Sequence, residues 1–203
     1  MYRETSEELL SFIKKSPSCF HAVATISEQL KAEGFQELKE CEAWNLQPQG
    51  KYFTTRNNSS VIAFTIGKEL DDYHFQITAS HSDSPTFKIK EKAELKGRGG
   101  YVQLNTEGYG GMICATWMDR PLSIAGRVLV KEGNRLVTRL IDLDRDLVLI
   151  PNVAIHMQRD VNDGMAFNKQ VDMLPLFSAG ACEDGDFDAL IAEALGCEVS
   201  DIC

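Results

Sequence analysis

A histidine and an aspartate separated by one residue stand where a predicted strand ends. The run His74–Ala79 alternates apolar and polar side chains, His81 and Asp83 follow it, and Ser84–Pro85 terminates the extended segment. Ligands bind at the carboxyl ends of strands in open α/β sheets, so the imidazole would face a cleft. The pattern favours His81 as a metal ligand, with Asp83 on its second ring nitrogen or beside a metal-bound water. A surface turn is the alternative, because Ser, Asp and Pro are common turn residues.

The elements that would position this pair begin with two predicted helices. A capping box at Thr5 and Glu8 predicts the start of the first helix, and Lys14–Lys15 suit its C-terminal end. The second helix ends at Gly34. For His21, in its first turn, a packed or capping histidine is a simpler interpretation than a ligand.

Strands follow the helices. Gly50–Thr55 and Ser60–Ile66 are predicted to form a hairpin through Arg56–Ser59, and Thr86–Glu91 to form a further short strand. The sequence then becomes glycine-rich at residues 96–100 and 107–111, and neither segment matches a phosphate-binding loop. A helix is predicted at Phe187–Leu195. Five further runs have strand character: Tyr101–Leu104, Met112–Met118, Ser123–Val130, Leu136–Ile141 and Leu147–Ile150.

Composition excludes several classes of protein. The 203 residues are 43% hydrophobic and carry a net charge of -9, which argues against a general binder of nucleic acid or anionic membrane. No apolar run approaches the roughly 18 residues of a membrane span. The six cysteines include no C-x-x-C pair, which predicts reduced thiols and a cytoplasmic location.

Two other sequence features are weaker indications of a catalytic or metal-binding site. His156 lies in an otherwise apolar stretch, where a satisfied core or interface histidine is the expected role. Asp142, Asp144 and Asp146 form a D-x-D-x-D run without the glycine and trailing glutamate of a calcium loop, so a solvated turn is expected.

Several long motifs, in order, resemble one family. The chain is similar to the N-terminal part of M18-family metallo-aminopeptidases, the aspartyl aminopeptidase group. The motifs are Ser16–Val23, Lys51–Asn57, Ala79–Pro85, Glu107–Gly111, Thr116–Arg120 and Ile150–Arg159.

This resemblance implies an α/β fold: residues 1–92 would be the opening part of a zinc-aminopeptidase catalytic domain, and residues 93–203 an inserted, mostly β dimerisation domain. It implies hydrolysis of N-terminal Asp or Glu from peptides by a site with two bridged zinc ions. By motif match, His81 would be a metal ligand and Asp83 the carboxylate that supports the site. His156 would reach the active site of a neighbouring subunit, contact substrate and help to stabilise the tetrahedral intermediate, in dimers that build dodecamers.

Family chains are more than twice as long, and their remaining half carries most of the metal ligands. We therefore expect this chain alone to be inactive and to be part of an active enzyme with a complementing C-terminal chain. A catalytically inactive paralogue that serves as an oligomerisation module is the second hypothesis, and a glycine-rich-loop domain that binds a small acidic ligand is the third. Without further strands the sheet of residues 1–92 would keep an open apolar edge, which favours a partner.

Overall fold

A computed structural model describes residues 2–69, 71 and 74–203. The chain divides between Ser84 and Pro85 into two units, each with its own internal packing. The catalytic and dimerisation roles expected for residues 1–92 and 93–203 stay predictions, since compactness alone assigns no role.

Two helices open the first unit. Helix α1 covers Tyr2–Lys14 and α2 covers Cys19–Ala32. Because α1 already begins at Tyr2, the predicted capping box at Thr5 and Glu8 is wrong. The hydroxyl of Ser6 instead donates to the carbonyl of Tyr2 within the first turns. No residue of α1 is buried.

Helix α2 starts as its sequence indicates. Ser18 is the N-cap, and its hydroxyl accepts the N–H of His21 while lying 2.8 Å from Nδ1 of that histidine. His21 thus takes part in the cap as the partner of Ser18, through its N–H and its ring nitrogen. After the helix, Gly34 adopts a φ of +80°, a left-handed conformation that glycine reaches without steric cost.

A three-stranded sheet completes the first unit. Strand β1 (Gln36–Glu37) pairs in parallel with β2 (Lys51–Arg56), which pairs antiparallel with β3 (Ser60–Thr65). The turn between β2 and β3 confirms the predicted hairpin. The most deeply buried side chains of this unit include Phe53, which is fully buried, and Val23 and Tyr52, which are nearly so.

The predicted third strand, His74–Ala79, is not formed. Residues 74–85 have no regular secondary structure, and the side chains of Phe75 and Ile77 are about four-fifths exposed, at 79% and 82%. A strand needs a neighbouring ladder, and no strand among the described residues pairs with this segment. Its apolar side chains consequently face solvent.

The second unit is mostly β-structure. A five-stranded sheet has the order β4-β5-β10-β9-β6 and is antiparallel between all paired neighbours, and β7 and β8 form a separate two-stranded hairpin. Helix α3 covers Asp186–Leu195 and ends at Gly196. The strands are β4 (Thr86–Lys96), β5 (Tyr101–Tyr109), β6 (Pro121–Leu122), β7 (Ala125–Glu132), β8 (Arg135–Asp142), β9 (Val148–Leu149) and β10 (Leu176–Ala179).

One core lies beneath α3. Phe187 and Ile191 of the helix pack with Leu104 of β5 and Ile141 of β8, and the Phe187 ring meets Phe177 edge to face with centroids 5.7 Å apart. The carboxylate of Glu94, on β4, accepts the N–H groups of Gly185 and Phe187, each at 2.8 Å. A strand side chain thus caps the N-terminus of α3, whose own N-cap residue is a glycine.

One expectation for the second unit is wrong, and one strand of this unit has no counterpart among the predicted elements. The predicted strand Met112–Met118 is instead a short 3₁₀ helix at Cys114–Trp117, because Thr116 bonds the carbonyl of Ile113 through both its N–H and its hydroxyl. Strand β10 was not expected at all. Further 3₁₀ turns lie at Arg98–Gly100 and Val199–Asp201, and Ile202 bridges Val130 of β7. The mixed α/β class itself is confirmed.

Candidate active site

His81 is held by a residue two positions further along the chain. Its Nδ1 atom lies 2.7 Å from the main-chain carbonyl oxygen of Asp83 and 3.3 Å from a carboxylate oxygen of the same residue. A carbonyl oxygen only accepts hydrogen bonds, so Nδ1 must carry the proton. In the neutral imidazole Nε2 then keeps its lone pair, which is the form that a metal ligand requires.

The His81 side chain is also accessible. It is 81% exposed in this chain, whereas the carboxylate of Asp83 is about half as exposed. Next to it, the Ser82 hydroxyl donates a 2.9 Å hydrogen bond to the carbonyl of Ser59, in the turn between β2 and β3. This bond connects the irregular segment that carries His81 to the hairpin of β2 and β3. The two predicted residues of this pair are therefore brought together, although the main chain of Asp83 makes the shorter contact.

His156 lies in the second unit, on an exposed loop. Residues 151–157 are all exposed, so the expected core position is wrong for this chain, because no described element covers the loop. An interface position stays a prediction. The loop turns at the hydrogen bond from the Met157 N–H to the Ala154 carbonyl, at 2.8 Å.

Asp119 holds the first residues of this loop. Its N–H donates to the carbonyl of Ile150 at 3.0 Å, and its carboxylate accepts the N–H of Asn152 at 2.9 Å. A φ of +54° allows Asp119 to make both bonds. The sequence carries only a weak signal for this conformation, since aspartate is among the few non-glycine residues that tolerate positive φ.

Zinc needs at least three protein ligands in a catalytic site. Within residues 2–69, 71 and 74–203 there is no group of three His, Cys, Asp or Glu side chains that could hold a metal ion. His81 fits one ligand position of such a site, and the described residues alone do not fit a complete one. Asp142, Asp144 and Asp146 form an exposed turn, in which the Asp144 N–H bonds the Asp142 carboxylate, as expected for a solvated charged segment.

Comparison with known proteins agrees with the motifs. The family model described as "Aminopeptidase I zinc metalloprotease (M18)" matches residues 12–203. The "Probable M18 family aminopeptidase 2" of Clostridium novyi (strain NT) is 49% identical over 174 residues, which are 84% of this chain and 40% of that protein. Its counterpart in Stutzerimonas stutzeri (strain A1501) is 40% identical over 200 residues, which are 98% of this chain and 46% of that protein.

Solved structures show the same fold. A chain in "Cryo-EM structure of the Ape4 and Nbr1 complex" superimposes with a TM-score of 0.90 at 36% identity, covering 97% of this chain and 42% of that one. A chain in "Structure of S. cerevesiae mApe1 dodecamer" gives a TM-score of 0.77 at 25% identity, covering 99% and 46%.

The chain therefore belongs to the M18 aminopeptidase family. It spans less than half the length of the curated relatives that it matches. None of the helices in the described part of the chain is long and apolar enough to cross a bilayer.

Proposed function

We propose that this chain is part of a metal-dependent aminopeptidase that removes N-terminal Asp or Glu from peptides. The observation that carries the proposal is the hydrogen bond from His81 Nδ1 to the Asp83 carbonyl, which leaves Nε2 as an exposed lone-pair donor, in a chain of the M18 family. The preference for acidic residues rests on the motif resemblance alone.

His81 would supply one zinc ligand, and Asp83 would orient it. When bound, the metal supplies an activated water and polarises the scissile carbonyl. The Asp83 carbonyl would set the ring orientation and tautomer of His81, and the nearby carboxylate would place negative charge beside the ring. The other ligands, including those of a second zinc ion, would come from the part of the relatives that this chain does not span.

His156 would act at the active site of a neighbouring subunit. Its exposed loop is suited to reach another copy, and an imidazole N–H is a suitable donor to the oxyanion that forms in peptide hydrolysis. The mApe1 relative is a dodecamer in its solved structure, which supports a homo-oligomer here, and the dimer as its building block rests on the motif resemblance alone. In this scheme residues 1–92 belong to the catalytic domain and residues 93–203 to a dimerisation domain.

The experiment compares His81→Ala and His156→Ala with the matched control His74→Ala, an exposed histidine seven positions before His81. Each variant is made in the assembled enzyme, which is this chain together with the remaining half found in its relatives. Zinc content is measured by elemental analysis, and turnover with reporter peptides that begin with Asp, Glu or Leu.

We expect His81→Ala to lose zinc and activity. His156→Ala should keep its full zinc content and lose at least a hundredfold in kcat, which is about the effect of one oxyanion donor. His74→Ala should match the parent. Full zinc content in His81→Ala would remove His81 from the site. Faster turnover of the Leu peptide would contradict the acidic preference. A correctly assembled enzyme without turnover on any peptide would favour the inactive oligomerisation module instead.

A further inference from the structure

We propose that Asp119 is a positioning residue for His156, an inference that rests on the function proposed above. Asp119 has no described contact with His156. It acts on the main chain through which the His156 loop leaves the protein, on both sides of Pro151.

Pro151 limits the hydrogen bonds that can hold the start of the His156 loop. Proline has no N–H, so the backbone groups available to fix the start of the loop are the carbonyl before it and the N–H after it. Asp119 takes both: its N–H bonds Ile150 and its carboxylate bonds Asn152. Ile150 is fully buried and forms a bridge with Met118, so the two bonds connect the loop to a buried position in the second unit.

The bond to Asn152 continues into the loop. The Asn152 side-chain oxygen accepts the N–H of Val153 at 2.8 Å, and the turn at Ala154–Met157, which contains His156, follows directly. The side chains of the loop are only partly covered in this chain, because Val153 and Ile155 are each 46% exposed and Met157 is 80% exposed. Hydrogen bonds at its start therefore help to set its direction, and Asp119 provides the first of them.

The backbone of Asp119 limits which side chains can do this. At a φ of +54°, glycine, asparagine and aspartate are the residues that fit with little strain. Asn retains both the conformation and an acceptor oxygen, whereas Gly retains the conformation and loses the acceptor. Comparing these two substitutions separates the hydrogen bond to Asn152 from the backbone requirement.

The test uses Asp119→Gly and Asp119→Asn in the assembled enzyme, each also combined with His156→Ala. Asp144→Gly is the matched control, since Asp144 is another exposed aspartate with positive φ in the same unit. The readouts are kcat and KM separately, zinc content, and amide hydrogen exchange over residues 152–157.

We expect Asp119→Gly to lower kcat by about ten- to a hundredfold, since small misplacements of a positioned group have effects of this size. KM and zinc content should stay unchanged, exchange at residues 152–157 should accelerate, and Asp119→Asn should restore most of the kcat. In the His156→Ala background Asp119→Gly should have no further effect on kcat, because residues that act as a unit are non-additive. Asp144→Gly should match the parent in every readout.

An additive effect in the double variant, a defect in Asp119→Asn equal to that of Asp119→Gly, or unchanged kcat in Asp119→Gly would each overturn the inference. If Asp119→Gly does not fold, Asn152→Ala tests the next bond of the same chain: a loss of kcat that disappears in the His156→Ala background supports the inference, and no loss overturns it. If His156→Ala itself keeps full kcat, the role of His156 in the proposed function fails first, and the positioning role falls with it.

Discussion

The imidazole Nδ1 of His81 lies closer to the main-chain carbonyl of Asp83, at 2.7 Å, than to the carboxylate of Asp83, at 3.3 Å. The group that fixes the ring is thus one that no substitution at position 83 removes directly. The carboxylate adds a second, electrostatic contribution to the position of the ring.

This geometry predicts a limited effect of Asp83→Asn. Loss of a carboxylate that orients a ligating histidine typically lowers metal affinity by roughly 10–100-fold. We expect a loss of about tenfold, at the lower end of that range, because the carbonyl contact persists. Zinc titration of the assembled enzyme in competition with a chelator measures it. Asp71→Asn, at another exposed aspartate, is the control. A loss of a thousandfold would show that the carboxylate is itself a metal ligand.

Exposed apolar residues of the first unit should matter for association and not for stability. Ile62 on β3 is 67% exposed and Ile77 is 82% exposed. We expect Ile62→Ser and Ile77→Ser to change the free energy of unfolding of the 203-residue chain by no more than about 0.5 kcal/mol, as is usual for surface substitutions.

The same two changes should weaken self-association or binding of the complementing half, measured by sedimentation velocity. Phe53→Ala, at a fully buried position, is the contrasting variant and should cost about 3–5 kcal/mol. A large loss of stability in Ile77→Ser would mean that residues 74–81 are packed in solution.

The cap that Glu94 forms on α3 should be worth more than an ordinary surface contact. Glu94→Ala leaves the N–H groups of Gly185 and Phe187 without their carboxylate acceptor. We expect a loss of about 2 kcal/mol in the free energy of unfolding, in the range of N-cap deletions. Urea denaturation followed by circular dichroism measures it. Glu91→Ala, an exposed residue of the same strand, should stay within about 0.5 kcal/mol of the parent, and an equal loss in both variants would refute the cap.

An ion-pair cluster in the first unit should make stability depend on pH. Hydrogen bonds from Lys39 and then Lys31 lower the pKa of Glu37 below its ordinary 4.5. Because the pKa of Glu37 is lower in the folded state, its ion pairs stabilise the fold fully above pH 4.5. This stabilisation is lost as the pH falls through the lowered pKa.

Glu37→Gln should therefore cost about 0.5 kcal/mol at pH 7, the scale of partly exposed pairs, and the difference from the parent should shrink below pH 4.5. Denaturation at a series of pH values tests this, with Glu28→Gln on the exposed side of α2 as the control. If the difference in the free energy of unfolding between Glu37→Gln and the parent grew at acid pH, the pH dependence would have the opposite sign and this mechanism would be excluded.

Local signals explain which elements could be predicted. Ser18 marks the start of α2, the residues around Asn57–Asn58 mark the β2–β3 turn, and Gly133–Asn134 mark the β7–β8 turn. Each acts within a few residues, so sequence alone reveals it. Strand β10 was missed because Leu176–Ala179 becomes a strand only by pairing with β5 and β9, which lie far away in sequence.

The contacts of the candidate site likewise include one that the sequence predicts and others that it does not. The contact between His81 and Asp83 follows from their spacing, since residues two apart in an extended chain that turns at Ser84–Pro85 can meet. The bond from Asn152 to Asp119 joins two separate motifs and depends on one left-handed residue, which the amino-acid types permit but do not require. The exposure of His156 depends on which surfaces a partner covers, and a single chain contains no signal for that.

The hairpin of β7 and β8 has a consequence for synthesis on the ribosome. Its pairing is local, with Glu132 opposite Arg135, so closing it costs little chain entropy, and isolated hairpins form in about 1–10 μs. Strand β5 must instead await β10, where Ser178 pairs with Val102. During translation the hairpin can therefore fold as soon as it emerges, while one side of β5 stays without its partner until residues 176–179 are made. A slow stretch of codons before residue 176 would lengthen the time for which nascent β5 is open to wrong partners.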